Sequence, residues 1–324
     1  MRILSGMRPT GRLHIGHLSV LENWERLQAD NQCFFFVADW HALTTAYDET
    51  HELRQNVREM VADWLAVGVD PERSTIFVQS HILEHAELHL LFSMFTPLSW
   101  LERVPTYKDQ VRQLGEQGKD VRTYGFLGYP LLQAADILIY RAEAVPVGED
   151  QLPHIELCRE IARRFNYLYD VVFPEPQALL AETAFVPGID GRKMSKSYGN
   201  VISLDVAPDE LGRLVRLMIT DPARIHKTDP GHPEVCTVYT YHKIYSPTAV
   251  PEVESQCRGG KIGCVACKAL LSETLEQILA PIRMKRAEIM ARPGYVEEVI
   301  AAGDARARKE ARATMALVRE AMGI

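Results

Sequence analysis

No stretch of this 324-residue chain is apolar for long enough to cross a bilayer. The N-terminus lacks the charged-then-apolar leader and small-residue cleavage site of a secreted protein. Internal repeats and low-complexity tracts are missing as well, which sets aside solenoids and disordered linkers. Positive charge is not in excess: 36 Lys and Arg against 43 Asp and Glu leave a formal net charge of −7. That excludes a surface coated uniformly for nucleic acid, but not RNA binding, which depends on local Lys/Arg patches. With only six cysteines and no mark of secretion, a disulfide framework is not expected. What is present is ordinary: 47% hydrophobic and 24% charged residues, enough chain for about two domains with a sizeable core. The expected setting is cytoplasmic, with no membrane association.

The apolar pattern alternates between strand and helix. Ile3-Leu4 suits a first parallel strand, and Leu18, Leu21, Trp24 and Leu27 follow at helical spacing. The continuous run Cys33–Ala38 reads as a strand buried on both faces. Leu53, Val57, Met60, Val61, Trp64 and Leu65 make a helical stripe that stops by Gly68, and Ser74–Gln79 is another strand. Such an order predicts a Rossmann-like, doubly wound α/β fold on a parallel sheet. A mostly helical insertion from His85 to Tyr140 is interrupted by a polar stretch at Gly115–Asp120. Val145–Val147 reads as a short strand, Pro153–Phe165 as a helix, and Phe173-Pro174-Glu175-Pro176 as a turn-rich connection. From Asp205 onward the pattern is almost wholly helical, with Pro281 placed to kink or divide a helix. The expected organisation is a catalytic domain over 1–204 and a mainly helical domain over 205–324, with a final helix at about 296–322 packing back on the body.

Two short stretches carry chemistry. Thr10-Gly11-Arg12-Leu13-His14-Ile15-Gly16-His17 follows the first strand and opens a helix. A helix N-terminus with glycines nearby offers free N–H groups and a favourable dipole to an anion. Far downstream, Gly191-Arg192-Lys193-Met194-Ser195-Lys196-Ser197-Tyr198-Gly199-Asn200 sets two lysines three apart between glycines. Two ammonium groups on a loop suit a polyanion whose charge grows during reaction.

Jointly, and in this order, these stretches resemble the two signatures of class I aminoacyl-tRNA synthetases. Tyr129–Leu138, Val147–Gln151 and Ala38–Leu43 extend the likeness, through nearly the whole chain, to the tryptophanyl-tRNA synthetases. The resemblance implies activation of L-tryptophan by ATP to tryptophanyl-adenylate, then transfer to tRNA(Trp). It also implies a homodimer, with the helical insertion as the contact.

The resemblance assigns residues too. Asp136 would accept the indole N–H, and a site built on such a bond rejects analogues that lack the donor. Tyr129 and Gln151 would hold the substrate amino group, with Gln133 in the same pocket segment. Leu4 stands where relatives often place an aromatic residue against the indole. For ATP the implied set is Arg8, Pro9, Thr10, Gly16, His17, Gly148, Glu149, Asp150 and Val186, with the lysine loop Lys193, Met194, Ser195, Lys196 and Ser197. His14 and His17 would donate to phosphate oxygens, while Lys193 and Lys196 hold the departing pyrophosphate with Mg²⁺.

Cys236, Cys257, Cys264 and Cys267 form C-x20-C-x6-C-x2-C in a polar, glycine-rich surrounding. A four-thiolate set suits zinc or an iron–sulfur cluster. The resemblance favours 4Fe–4S, with tetrahedral Zn²⁺ as the alternative, in a domain that reads the anticodon. Cys33 and Cys158 lie in apolar patterns and read as core. The other histidines, His41, His81, His85, His89 and His154, read as satisfied core or surface residues. Arg283, Lys285, Arg286, Arg306, Arg308, Lys309 and Arg312 read as a solvated helical face, with tRNA phosphate contact second. The rival readings are a tyrosine-specific class I enzyme and a non-catalytic RNA-binding paralogue that carries a metal cluster.

Overall fold

In a computed structural model of the chain, the first apolar run forms β1 (Arg2–Met7), and every other strand pairs parallel to its neighbour. The structure describes residues 1–104, 111–112, 115, 121–180, 185–194 and 198–324. β2 (Gln32–Val37), β3 (Ser74–Val78), β4 (Ala144–Val147) and β5 (Gln177–Leu180) complete a sheet of order β3-β2-β1-β4-β5. The chain winds outward from β1 to β3 and then restarts on the other side of β1. This places a topological switch point between β1 and β4, where open α/β sheets bind ligands.

The helices are α1 (Leu18–Leu27), α2 (Asp39–Ala46), α3 (Leu53–Val67), α4 (Glu84–Ser93), α5 (Leu98–Glu102), α6 (Tyr124–Ile139) and α7 (Leu152–Leu168). After β5 come α8 (Pro208–Leu217), α9 (Thr237–Tyr245), α10 (Val250–Arg258), α11 (Cys264–Met290) and α12 (Tyr295–Met322). Of the two outcomes expected at Pro281, a kink or a division, division does not occur: α11 passes through it as one helix. β5 was not anticipated: only four residues long, it lies at the sheet edge directly after the proline-rich turn.

Two compact units emerge. The first comprises Met1–Gly11, Asn23–Glu182 and Pro293–Ile324; the second comprises Arg12–Glu22 and Thr183–Arg292. In the first, Phe34, Phe35 and Val37 of β2 are buried on both faces, as a central parallel strand requires. Trp24 stacks on Phe35 at 4.4 Å and meets Trp64 edge-on at 5.0 Å, which locks α3 over the sheet.

β3 lies at one end of the sheet and would expose its backbone there. α12 covers that edge. A Cβ at Gly303 would lie 1.7 Å from the carbonyl oxygen of Ile76, so only glycine lets the helix backbone approach so closely. The carboxylate of Asp304 accepts the Val78 N–H at 3.1 Å, and Arg306 donates to the carbonyls of Pro71 and Ser74. These side chains supply the partners that a sixth strand would otherwise provide.

Candidate active site

The end of β4 passes into a tight turn, Glu149–Gln151, with Gly148 before it. A Cβ at Gly148 would lie 2.7 Å from Asp150 Oδ1, so glycine lets the carboxylate fold over the turn. Gln151 donates to Asp150 at 2.8 Å, and Glu149 and Asp150 are exposed. Across the switch point, Arg8, Pro9 and Thr10 follow β1, and Gly11 takes φ 111°, a conformation that favours glycine. Solvent reaches Arg8, yet enough protein surrounds the guanidinium that desolvation lowers its pKa.

α6 brings Tyr129, Gln133 and Asp136 onto one helix. Tyr129 and Gln133 are half-buried, while Asp136 is wholly buried. Its carboxylate accepts Gln79 Nε2 at 2.8 Å on both oxygens, His85 Nδ1 at 2.7 Å and His41 Nε2 at 2.8 Å. His85 continues to the Tyr140 hydroxyl through Nε2 at 2.7 Å. Desolvation alone would raise the Asp136 pKa, but the hydrogen bonds and charges of His41 and His85 outweigh it and bring the value to about 2. Burial and the nearby Asp136 charge push the Tyr140 phenol well up. Tyr129 faces His154 Nε2 at 3.2 Å, and burial lowers the His154 pKa to about 4, which leaves that ring neutral. Leu4 is buried in the sheet core at 2% exposure.

Reading histidines one at a time missed His41 and His85, which act as partners of Asp136. The available signal for His41 was its place just beyond the C-terminal end of β2.

The second unit holds His14, Gly16, His17, Val186, Lys193 and Met194. The turn is pinned by hydrogen bonds from Ile15 N to Ile202 O at 2.9 Å and from Leu204 N to Leu13 O at 3.2 Å. Gly16 N–H donates to His14 Nδ1, and His14 N–H donates to His17 Nδ1, each at 3.2 Å. His14 Nδ1 is therefore an acceptor, so the neutral His14 ring carries its proton on Nε2. His17 Nδ1 lies between the N–H and the carbonyl oxygen of His14, the latter at 3.3 Å, which ties both rings to one turn at the start of a helix.

Lys193 is exposed and its backbone bridges to Pro187. Asn200 Nδ2 donates to Lys193 O at 3.1 Å and to Asp190 at 2.8 Å, which closes the base of the loop. Met194 is 8% exposed, and its sulfur lies 3.5 Å from where a Cβ on Gly16 would stand. The signature turn and the lysine loop thus meet. Val186 is buried at 7% exposure. Ser195, Lys196 and Ser197 lie outside the described residues, as do residues 116–120 of the polar stretch.

The four cysteines of the second unit lie near enough to act on one another electrostatically, and Arg224 Nη1 lies 3.8 Å from Cys257 Sγ and 4.0 Å from Cys264 Sγ. Cys267 Sγ lies 3.6 Å from His242 Nε2. Desolvation first, then the other thiols, pushes Cys267 up to about 12; Cys236 and Cys257 rise for the same reasons. A Cβ on Gly231 would come within 2.5 Å of Cys257 Sγ, so the backbone is shaped closely to that sulfur. Among the described residues, no three His, Cys, Asp or Glu side chains form a group able to hold a metal ion as they stand.

The basic residues of the C-terminal helices are mostly committed within the chain. Arg306 and Arg308 donate to backbone carbonyls at Pro71, Ser74 and His81, and Arg312 pairs with Glu84. Arg283 binds Val206 O and Glu276, and Lys285 pairs with Glu288.

A parallel sheet with a switch point between β1 and β4 and, in the second unit, a histidine turn that meets a lysine loop are the features of a class I synthetase fold. The family model for class I tRNA synthetases (W and Y) matches residues 1–280. A tryptophan–tRNA ligase from Thermotoga maritima is 56% identical over 100% of this chain and 99% of its own length. One from Aquifex aeolicus is 47% identical, with 100% of both chains covered. The crystal structure of the tryptophanyl-tRNA synthetase from Campylobacter jejuni, complexed with ADP and tryptophan, superposes with a TM-score of 0.88 at 33% identity, covering 100% of each chain. The chain belongs to the tryptophan–tRNA ligase family of class I synthetases.

Proposed function

We propose that the protein activates L-tryptophan with ATP and transfers the tryptophanyl group to tRNA(Trp). The tryptophan carboxylate attacks the α-phosphorus of ATP, a P–O bond to pyrophosphate breaks, and tryptophanyl-adenylate forms. The terminal adenosine hydroxyl of the tRNA then attacks the acyl carbon and releases AMP. The observation that carries this reading is the histidine turn, in which His14 carries its proton on Nε2 beside His17, a donor that suits developing charge on phosphate oxygens. Lys193 and Lys196 neutralise the departing pyrophosphate, together with the Mg²⁺ that enters bound to ATP. Arg8, Pro9, Thr10, Gly16, Gly148, Glu149 and Asp150 line the nucleotide, and Val186, Met194, Ser195 and Ser197 complete its contacts.

The polar cluster at Asp136 is the group that the indole N–H meets, and a buried ionised acceptor supports tryptophan over a benzyl side chain, which has no donor. Tyr129 and Gln151 hold the substrate amino group, with Gln133 in the same pocket; Leu4 acts from behind, in the core. The cysteine quartet holds a 4Fe–4S cluster. An all-sulfur donor set and the close glycine backbone support this reading. Tetrahedral Zn²⁺ on the same four thiolates is the alternative. The cluster supplies order to the anticodon-reading surface of residues 205–324 rather than redox chemistry. The chain works as a cytoplasmic homodimer, a reading supported by the apolar side chains exposed on the insertion: Leu90, Met94, Leu98 and Tyr124.

Tryptophan-dependent pyrophosphate exchange tests the central claim. Wild type should exchange with tryptophan and not tyrosine, and Lys193→Ala should lose about 10²–10³ in rate. Undiminished exchange in a Lys193→Ala/Lys196→Ala double variant would overturn it.

A further inference from the structure

The peptide joining Ile15 to Gly16 is held at both ends. Its N–H, on Gly16, donates to His14 Nδ1 at 3.2 Å. Its carbonyl oxygen, on Ile15, accepts the Tyr245 hydroxyl at 3.2 Å and also the Leu18 backbone N–H. Because carbonyl and N–H of one peptide are coplanar, the orientation of the carbonyl sets the direction of the N–H. The direction of that N–H sets which nitrogen of His14 is the acceptor. Tyr245, the one side chain of the two donors on that oxygen, therefore biases a tautomer without touching the ring.

We propose that Tyr245, with Tyr241 one turn earlier, is a positioning residue for adenylate formation: Tyr245 fixes the His14 tautomer that donates from Nε2, and Tyr241 fixes the base of the lysine loop. Tyr241 is buried, and its hydroxyl donates to Pro187 O at 2.7 Å. Pro187 is the residue whose backbone bridges to Lys193. Both tyrosines lie on α9, four residues apart and so on one face, with ring centroids 5.7 Å apart. At the start of the same helix, Thr237 N–H donates to Ile219 O at 3.2 Å. One nine-residue helix thus reaches the carbonyl of each signature segment with a phenol. Neither tyrosine contacts a substrate group in this role, and a phenylalanine at either position would keep the packing while losing the tie.

This inference rests on the reading of His14 as a phosphate donor, so the test separates the two. Tyr245→Phe is compared with wild type and His14→Ala in tryptophan-dependent pyrophosphate exchange, with thermal unfolding and the side-chain ¹⁵N shifts of His14 followed alongside. Loss of one hydrogen bond that acts through the ring should lower kcat by about 5- to 10-fold. The KM for tryptophan should not move, the unfolding midpoint should change little, and the ¹⁵N shifts should report Nδ1–H in part of the population. Tyr241→Phe should raise the KM for ATP by about 5-fold with the His14 shifts as in wild type. If His14→Ala loses exchange while Tyr245→Phe keeps both wild-type kcat and the wild-type His14 signature, the positioning role is wrong. Undiminished exchange in His14→Ala would overturn the donor reading and this inference with it.

Discussion

His85 Nδ1 donates to Asp136 Oδ1 across 2.7 Å with both side chains at 1% exposure or less. A carboxylate so buried stays ionised only because its neighbours donate to it. The folded value of about 2 lies below the ordinary 3.8. The stability it contributes is therefore complete above 3.8 and disappears only as pH falls through 2. Asp136→Asn would turn an amide donor toward His85, His41 or Gln79, which are donors themselves. We expect a loss of about 3–5 kcal/mol at pH 7 in urea unfolding, with a raised KM for tryptophan. A variant as stable as wild type would show that the cluster is not held by charge.

His81 Nδ1 and Asp304 Oδ2 meet at 2.6 Å where α12 closes on the loop after β3. The bond to Asp304 is the main cause that raises the His81 pKa, against partial desolvation. A raised folded pKa gives stability that is fully present below the unfolded value of about 6.5 and is lost as pH rises through the folded value. His81→Gln should thus destabilise the protein more at pH 6 than at pH 9. Thermal unfolding at the two pH values measures the difference, and an equal loss at both would remove the charge from the account.

Gly303→Ala places a methyl 1.7 Å from Ile76 O, and the obstacle is backbone, which cannot rotate away. α12 would have to lift from β3, weakening the Asp304 and Arg306 contacts that depend on the approach. Overpacking of this kind costs about 1–3 kcal/mol, and the lowered urea midpoint should come with faster hydrogen exchange at Val78. Unchanged exchange at that amide would mean that the helix accommodates the methyl by sliding.

The sheet was legible where burial is two-sided. Cys33–Ala38 is apolar throughout and Ser74–Gln79 has an apolar centre at Ile76-Phe77-Val78 because neighbours cover both faces, and β2 and β3 fall within one residue of those limits. β5 was illegible for the opposite reason: Gln177-Ala178-Leu179-Leu180 is an edge strand with exposed ends and too few residues to show a period. The signature turn and the lysine loop were legible as motifs. The partners of Asp136 were not, since His41 and His85 lie 95 and 51 positions away, beyond the reach of periodicity. Tyr245 escaped for the same reason: it meets Ile15 across 230 positions, in a helix whose own pattern says only that it is amphipathic. The aligned basic residues near the C-terminus read as a solvated face, whereas Arg306 and Arg308 cap a sheet edge.

The cysteine quartet divides its ligands between helices with different duties, and that division makes a last prediction. Cys264 opens α11, and Cys236 stands at the N-cap of α9, the helix that carries Tyr241 and Tyr245. If the quartet holds an iron–sulfur cluster, Cys264→Ser and Cys236→Ser should both lose iron and visible absorption in anaerobically purified protein. Their effects on catalysis should separate. Cys264→Ser should weaken tRNA charging more than tryptophan-dependent exchange, because α11, which Cys264 opens, carries neither Tyr241 nor Tyr245. Cys236→Ser should lower exchange as well, because it frees the start of the helix whose tyrosines grip Ile15 and Pro187. Equal loss of charging and exchange in both variants, with a fall in thermal midpoint to match, would assign the cysteines to global folding instead.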